Sequence, residues 1–263
     1  MNNELKAKIA KDLKVSGFAS EMKAMNTILN SNWNCSASKS YFDLDSEQTR
    51  EIDLNAALLI HDRISQAQLE YNLCIEVKKS KSPWVIFRKQ GREQFSRDSW
   101  VNTSYRAGLR FEPSELSILL GDTCLRNHLG WLGHGIHESF KSPNDSSRWY
   151  SACVSSLKAC YHNTSIYNEI GHPPGDASFL VMNTPVVVVD TVLCTATLDH
   201  NGELEIEDIP FGVIDFEFQT AKYNSLSWRI DIVQIDSLSE YLSLQRERAE
   251  KIYDKQLALV NES

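Results

Sequence analysis

The chain has 263 residues, 42% of them hydrophobic and 24% charged, with 27 Lys+Arg against 35 Asp+Glu and a formal net charge of -8. This length buries a full core in one large or two small domains, and the apolar fraction excludes a disordered or collagen-like chain. A pI near 5.4 excludes coating of nucleic acid through bulk charge, so any nucleic-acid contact must be local.

The start, Met1-Asn2-Asn3-Glu4-Leu5-Lys6, lacks an apolar stretch, and no window approaches the length of a membrane span. A cytoplasmic protein without membrane contact is the expectation. Cys35, Cys74, Cys124, Cys153, Cys160 and Cys194 form no Cys-x-x-Cys pair and are expected to be reduced and mostly buried.

Leu5, Ile9 and Leu13 recur every four residues and predict a short amphipathic helix. Phe18, Met22, Met25 and Leu29 predict a second helix with one apolar stripe, ended by Asn30-Ser31-Asn32. From Trp33 the period changes. Tyr41-Phe42 leads into the turn-rich Asp43–Ser46, and Arg50–Ala56 and Asn72–Lys78 both alternate at period two. Two such strands, joined by a polar connection near Asp62 to Gln68, pair most simply as an antiparallel hairpin.

Arg88 to Pro143 has no long period and predicts loops and short helices, as in a variable insertion or lid over about 91–146. Arg148–Tyr161 reads as a helix with Trp149, Ala152, Cys153, Leu157 and Cys160 on one side. After the loop Gly171–Gly175, strands are expected at Pro185–Val189, Val192–Leu198, Gly212–Gln219 and Ser227–Ile235. A final helix over 237–263 opens on a capping box of Ser237 and Glu240, with Leu238, Leu242, Ala249, Ile252, Leu257 and Val260 as its apolar stripe. This order predicts a single α/β domain over 1–263, its core at about 16–90 and 147–236, with a central mixed sheet flanked by helices.

On the first alternating strand Ile52, Leu54 and Ala56 are expected on one face, opposite Glu51, Asp53 and Asn55. On the second, Leu73, Ile75 and Val77 oppose Cys74, Glu76 and Lys78. Pairing the two strands brings Asp53, Glu76 and Lys78 together. Two carboxylates can hold a hard cation such as Mg²⁺ through oxygen, and a lysine can orient water and neutralise charge developing on a phosphate. Glu51 shares the face of Asp53 and is its rival, but apolar neighbours on both sides set Asp53 deeper. Glu21 falls beside the apolar stripe of the second helix, where a carboxylate needs a partner or a metal.

These residues resemble the PD-(D/E)xK nucleases of the restriction-endonuclease-like superfamily. The matching stretches are Arg50-Glu51-Ile52-Asp53 and Ile75-Glu76-Val77-Lys78-Lys79-Ser80-Lys81-Ser82-Pro83-Trp84-Val85, with Glu21 as the acid on the preceding helix. Ile52 stands where the strict motif has proline. The resemblance implies a restriction-endonuclease-like core of helix, three-stranded meander, helix and further strand, matched in order by Phe18–Asn30, Asn34–Ser80, Arg148–Tyr161 and Pro185–Cys194. It further implies Asp53, Glu76 and Glu21 as metal ligands for Mg²⁺ or Mn²⁺, Lys78 as the catalytic lysine, and DNA, or RNA, as substrate.

Between Glu76 and Arg110 nine basic residues face three acidic ones, a local charge of +6. Lys79, Lys81, Arg88, Lys89 and Arg92 lie next to the motif and are candidate backbone contacts, with interleaved aromatics such as Trp84, Phe87, Phe95, Trp100 and Tyr105. Cys124, His128, His134 and His137 admit a zinc reading, but loop histidines near a substrate channel fit their Gly-rich setting better. Asp199–Gln219 carries seven acidic residues and no Lys or Arg, which reads as a solvated sheet edge. The leading expectation is a Mg²⁺-dependent nuclease, with a catalytically silent nucleic-acid-binding or assembly module as the alternative. A homodimer through the last helix would supply a second site for the second strand.

Overall fold

The computed structural model describes residues 1–64, 67–88, 105–108, 132–142, 146–170, 178–223 and 226–262. In chain order the elements are α1 (Asn3–Ser16), α2 (Phe18–Asn30), β1 (Asn34–Asp43), β2 (Gln48–His61), β3 (Gln68–Lys79), β4 (Trp84–Arg88), β5 (Tyr105–Gly108) and β6 (Leu132–Glu138). They continue with α3 (Arg148–Ile170), β7 (Phe179–Asp190), β8 (Leu193–Leu198), β9 (Leu204–Asp208), β10 (Phe211–Phe218), β11 (Leu226–Gln234) and α4 (Leu238–Glu262). The fold is mixed α/β, with one large mixed sheet and four helices among the described residues. No helix among the described residues is long and apolar enough to cross a membrane.

Asn2 caps α1, its Oδ1 accepting from Leu5 N at 2.8 Å, and Gly17 ends it at φ 92, a conformation glycine adopts without strain. The chain then turns directly into α2. That helix buries Ser20, Ala24 and Ile28, a line of i, i+4, i+8 positions. The expected stripe is therefore corrected: Phe18, Met22 and Leu29 are exposed and only Met25 packs partly against the core. Small Ser20 and Ala24 allow a close approach to the sheet, and Ser20 Oγ donates to Asp190 at the end of β7. Bulkier side chains on that line would hold the helix off.

β1, β2 and β3 form an antiparallel meander, with Asn34 opposite Ala57 and Leu54 opposite Ile75. β3 then pairs in parallel with β7 from Gln68↔Phe179 to Lys79↔Asp190. Beyond β7 the order is β11, β10, β6, β4, β8 and β9, with β5 also on β7. Val186 and Val188 of β7 point into the layer closed by α2 and α4, with Ile28, Leu73, Ile75, Leu242 and Ile252. Val187 and Val189 point into the layer under α3, with Trp84, Ile86, Ala152, Cys153 and Leu157. A strand buried on both faces reads as a continuous apolar run, which is what Pro185–Val189 is.

The β3–β7 pair does not stop at Lys79 and Asp190. It crosses a corner and resumes as the parallel pair β4–β8, where Trp84 stands opposite Leu193. Trp84 N donates to Val192 O at 2.9 Å across the join. One side crosses from Lys79 to Trp84 while the other needs only Asp190 to Leu193, so β3–β4 carries a two-residue surplus that must bulge outward. Ser80 Oγ closes the bulge by donating to Ser82 O at 2.9 Å and accepting from Ser82 N at 3.0 Å, and Thr191 Oγ1 donates to Ser82 O at 3.2 Å.

Three further expectations are corrected. Ile52 does not share a face with Leu54 and Ala56: it packs with Tyr41, Cys74, Ala159 and Cys160 under α3, while Leu54 and Ala56 join the opposite layer. The switch falls at Asp53, across from Ser38, whose φ of 51 breaks the regular pleat of β1. In 88–143, the described segments 105–108 and 132–138 are sheet strands and not loops or short helices, and β6 is an interior member joining β10 to β4. The apolar stripe of α4 packs into this chain's own core through Leu238, Leu242, Ala249 and Ile252. The acidic block expected as a solvated sheet edge divides: β9 is solvated along its whole length and among the described residues pairs with β8 alone, whereas β10 is a largely buried interior strand between β11 and β6. Among the described residues, Cys74, Cys153, Cys160 and Cys194 are free and buried, and Cys35 is free and half-buried.

α3 is tied to the β1–β2 turn by a buried cation. Lys158 Nζ donates to Asp43 Oδ1 at 2.6 Å and lies 2.8 Å from Asp45 Oδ2 and 4.9 Å from the Tyr223 ring centre. Burial pushes the Asp43 carboxyl up, but Lys158, the Ser46 hydroxyl and the Asp45 amide together outweigh it and hold it at about 2. An Asp with a depressed folded pKa contributes stability above its unfolded value near 3.8 and loses it as pH falls toward 2. Acid unfolding should therefore begin in that window, and Asp43→Asn should flatten it. Lys158→Met should cost about 2 kcal/mol in urea unfolding at pH 7, because it takes the buried cation from the buried Asp43 carboxylate and leaves it only the half-exposed Arg50 as an ion-pair partner. The Asp43→Asn, Lys158→Met pair should recover part of that loss.

Candidate active site

Asp53 comes from β2 and Glu76 and Lys78 from its hairpin partner β3, next to each other across the strands. The pleat irregularity at Asp53 turns its carboxylate along the sheet, so that Oδ2 accepts from the backbone N of Val77 at 2.8 Å. Lys78 Nζ donates to Glu76 Oε1 at 2.5 Å and stands 3.9 Å from Asp53 Oδ2. The lysine thus sits between the two carboxylates. Glu51, the rival of Asp53, is exposed.

Glu76 is the most constrained member. It is 8% exposed, and its Oε2 is buried without a hydrogen-bond partner. Burial pushes its carboxyl up to about 7; Lys78 opposes the shift, and the negative charges of Asp53 and Glu21 add to it. Glu21 approaches from α2, half-buried beside the Ser20–Ala24–Ile28 line. Burial raises its carboxyl, as does the charge of Asp53, while Lys78 lowers it. Three carboxylates and one ammonium therefore share one field.

Glu21, Asp53 and Lys78 open onto a cleft of about 820 Å³, while Glu76 is buried against Lys78 and does not line it. Its lining includes Val15, Ser16 and Gly17 from the α1–α2 junction, Glu21, Asp53 and Lys78 from the site, and Lys79, Ser80, Lys81 and Ser82 from the corner bulge. Glu138, Phe140, Lys141, Ser142 and Arg148 close the other side. The surplus length at the corner is what carries Lys81 to the rim. Lys79 Nζ donates to the carbonyl of Lys14, and Arg148 Nη1 donates to Lys79 O at 3.1 Å, which ties α1 and α3 to the same strand end.

The sequence reading missed Glu138, Phe140, Lys141 and Arg148. Glu138 Oε1 accepts from the backbone N of Arg148 at 2.7 Å and of Trp149 at 3.4 Å, and from Lys141 Nζ at 3.3 Å. This buried carboxylate caps α3 from ten residues upstream, so Arg148 is placed by a long-range contact that carries no local motif. Arg88 lies at the end of β4 and does not line the cleft. Lys89, Arg92, Arg97 and Arg110, the side chain of Arg106, and the aromatics Phe95 and Trp100 lie outside the described residues, as do Cys124 and His128. His134 and His137 are on β6, exposed and with ring centres 6.2 and 6.3 Å from that of Phe87, not on a loop as expected.

No three His, Cys, Asp or Glu side chains among the described residues are gathered as a metal-holding group in this arrangement. The donor chemistry nonetheless fits a hard cation: Asp53, Glu76 and Glu21 offer only oxygen, and the orphaned Glu76 Oε2 is a buried acceptor with nothing to accept from.

Glu76 binds a proton more tightly folded than unfolded, so between its ordinary 4.5 and about 7 the folded state gains protons and stability falls as pH rises. Thermal melts from pH 4.5 to 8 should show this decline in the wild type and a flatter profile in Glu76→Gln. Searches of protein-family models, of curated proteins and of solved structures returned no match to this chain.

Proposed function

We propose that the chain is a metal-dependent nuclease with a restriction-endonuclease-like core that hydrolyses phosphodiester bonds, in DNA before RNA. The observation that carries this reading is the convergence of Asp53, Lys78 and Glu21 on one cleft with cationic walls, with the buried Glu76 bonded to Lys78. The succession of α2, the β1–β2–β3 meander, α3 and a strand, β7, parallel to β3 supports it, because the resemblance implies that order. Asp53, Glu76 and Glu21 would hold Mg²⁺ or Mn²⁺, which supplies Lewis-acid activation of water and neutralises phosphate charge.

The chain's own residues have separable tasks. Lys78 positions the attacking water and offsets the charge that builds on the phosphoryl oxygens. Lys79, Lys81, Lys141 and Arg148 draw the sugar-phosphate backbone into the cleft. Water attacks phosphorus directly, so no covalent intermediate forms on the protein. With a net charge of -8 the grip on DNA is weak outside this basic flank and sensitive to salt. Cutting both strands of a duplex would call on a second copy of the chain.

The alternative of a silent binding or assembly module draws on one observation: Lys78 already occupies Glu76 Oε1 at 2.5 Å. Metal distinguishes the two, because a ligand that binds only the folded state raises its melting temperature. Supercoiled, linear and single-stranded DNA, with matched RNA, should be cleaved with Mg²⁺ and not without it. Asp53→Ala and Lys78→Ala should each lower cleavage by at least about a hundredfold while the melting transition stays cooperative. Equal cleavage by wild type and both variants would refute the assignment, and absence of any metal response would favour the silent module.

A further inference from the structure

Phe140 stands on the cleft wall with its side chain 93% exposed and its backbone at φ 61. Both features cost stability. The left-handed region crowds a Cβ, so Gly or Asn is the ordinary occupant of such a turn, and an exposed phenyl ring buries nothing. The conformation is also enforced from both sides. Ser139 N donates to Pro83 O at 2.9 Å, which fastens the turn to the corner bulge. Lys141 Nζ donates to Glu138 Oε1 at 3.3 Å and to the carbonyl of Ser146. A strained backbone held by its neighbours, with a large side chain in water and no part in the core, is kept for what the ring does outside the protein.

Its surroundings define that partner. Lys79, Lys81, Lys141 and Arg148 line the same cleft, beside the carboxylates of Asp53 and Glu21. Cations lining one cleft attract phosphates, and a flat apolar ring among them offers a face for a flat base. Inside a duplex both faces of each base are covered by neighbouring pairs, whereas an unpaired base has a free face.

We infer that Phe140 is a stacking platform for an unpaired nucleobase next to the scissile phosphate, which makes single-stranded or frayed nucleic acid the preferred substrate. This rests on the nuclease reading and specifies its substrate class. The ring acts in binding and positioning, with no part in bond cleavage.

The probe is a single-stranded oligonucleotide carrying 2-aminopurine, whose fluorescence is quenched by stacking, titrated without divalent metal. Wild type should quench it, since stacking needs neither metal nor catalysis. Phe140→Gly should lose the quench and bind at least about fivefold more weakly, while melting at or above the wild-type temperature because the turn is relieved. Phe140→Trp should keep the quench. An unchanged quench in Phe140→Gly would overturn the stacking platform and leave the nuclease reading intact. A wild type that neither binds the oligonucleotide nor cleaves DNA with Mg²⁺ would overturn both.

Discussion

The parallel pairing of β3 with β7 is the constraint from which the rest of the molecule follows. Both strands are buried on two faces, so their amides and carbonyls must find partners, most in the ladder, with Val77 N given to Asp53 Oδ2 and Val186 N and Cys74 O to the Ser156 hydroxyl of α3. That requirement fixes the meander on one side and β11 on the other, and it gives α2, α3 and α4 surfaces to cover. It also decides where chemistry can occur. Inside the ladder there is no room for a substrate, and at its end, where the pair goes over the corner into β4–β8, side chains reach water. Glu76 and Lys78 occupy the last positions before that corner. Their backbone is among the most firmly held in the protein, while Lys81 and Phe140 stand on the bulge and turn just beyond it.

The interior handles charge in two ways. Lys158 is surrounded by Asp43, Asp45 and the Tyr223 ring. Asp231, buried near α4, accepts from Tyr241 Oη at 2.6 Å and from Gln245 Nε2 at 3.4 Å, and Gln245 Oε1 accepts in turn from Tyr71 Oη at 2.8 Å. These groups lock helices to the sheet and leave their acceptors engaged. Glu76 is different: one oxygen is paired and the other is left without a donor. Other buried polar atoms, such as Asn72 Oδ1, Asn183 Oδ1 and Trp84 Nε1, also stand without a partner, but among the described residues Glu76 alone leaves a carboxylate oxygen so, beside the cleft.

The site was more legible in the sequence than the sheet around it. Period-two alternation in Arg50–Ala56 and Asn72–Lys78 is a local signal, and it placed Asp53, Glu76 and Lys78 together before any tertiary information. The signal failed at Ile52, because a pleat break opposite Ser38 depends on the partner strand and not on the residues themselves. It failed on α2 because Phe18 and Met22 look like core by hydrophobicity, whereas the helix seats itself through the smaller Ser20 and Ala24. β4 and β6 are short strands whose pairing partners are distant in sequence, and Arg148 is delivered by a carboxylate ten residues upstream. Nothing in the residues near Phe140 marks its backbone as left-handed; the turn is held by the long-range tie of Ser139 to Pro83 and by the local ties of Lys141 to Glu138 and Ser146.

The open strand β9 has a consequence for the protein among its own copies. Leu204 and Ile206 lie in solvent on a strand whose outer edge has no partner among the described residues, an arrangement that ordinarily invites one sheet to extend into the next. Glu205, Glu207 and Asp208 share that strand, so two such edges brought together would set like charges against each other. The acidic excess, which at first argued against a polyanion-binding protein, thus also serves as colloidal protection at the sheet's exposed end.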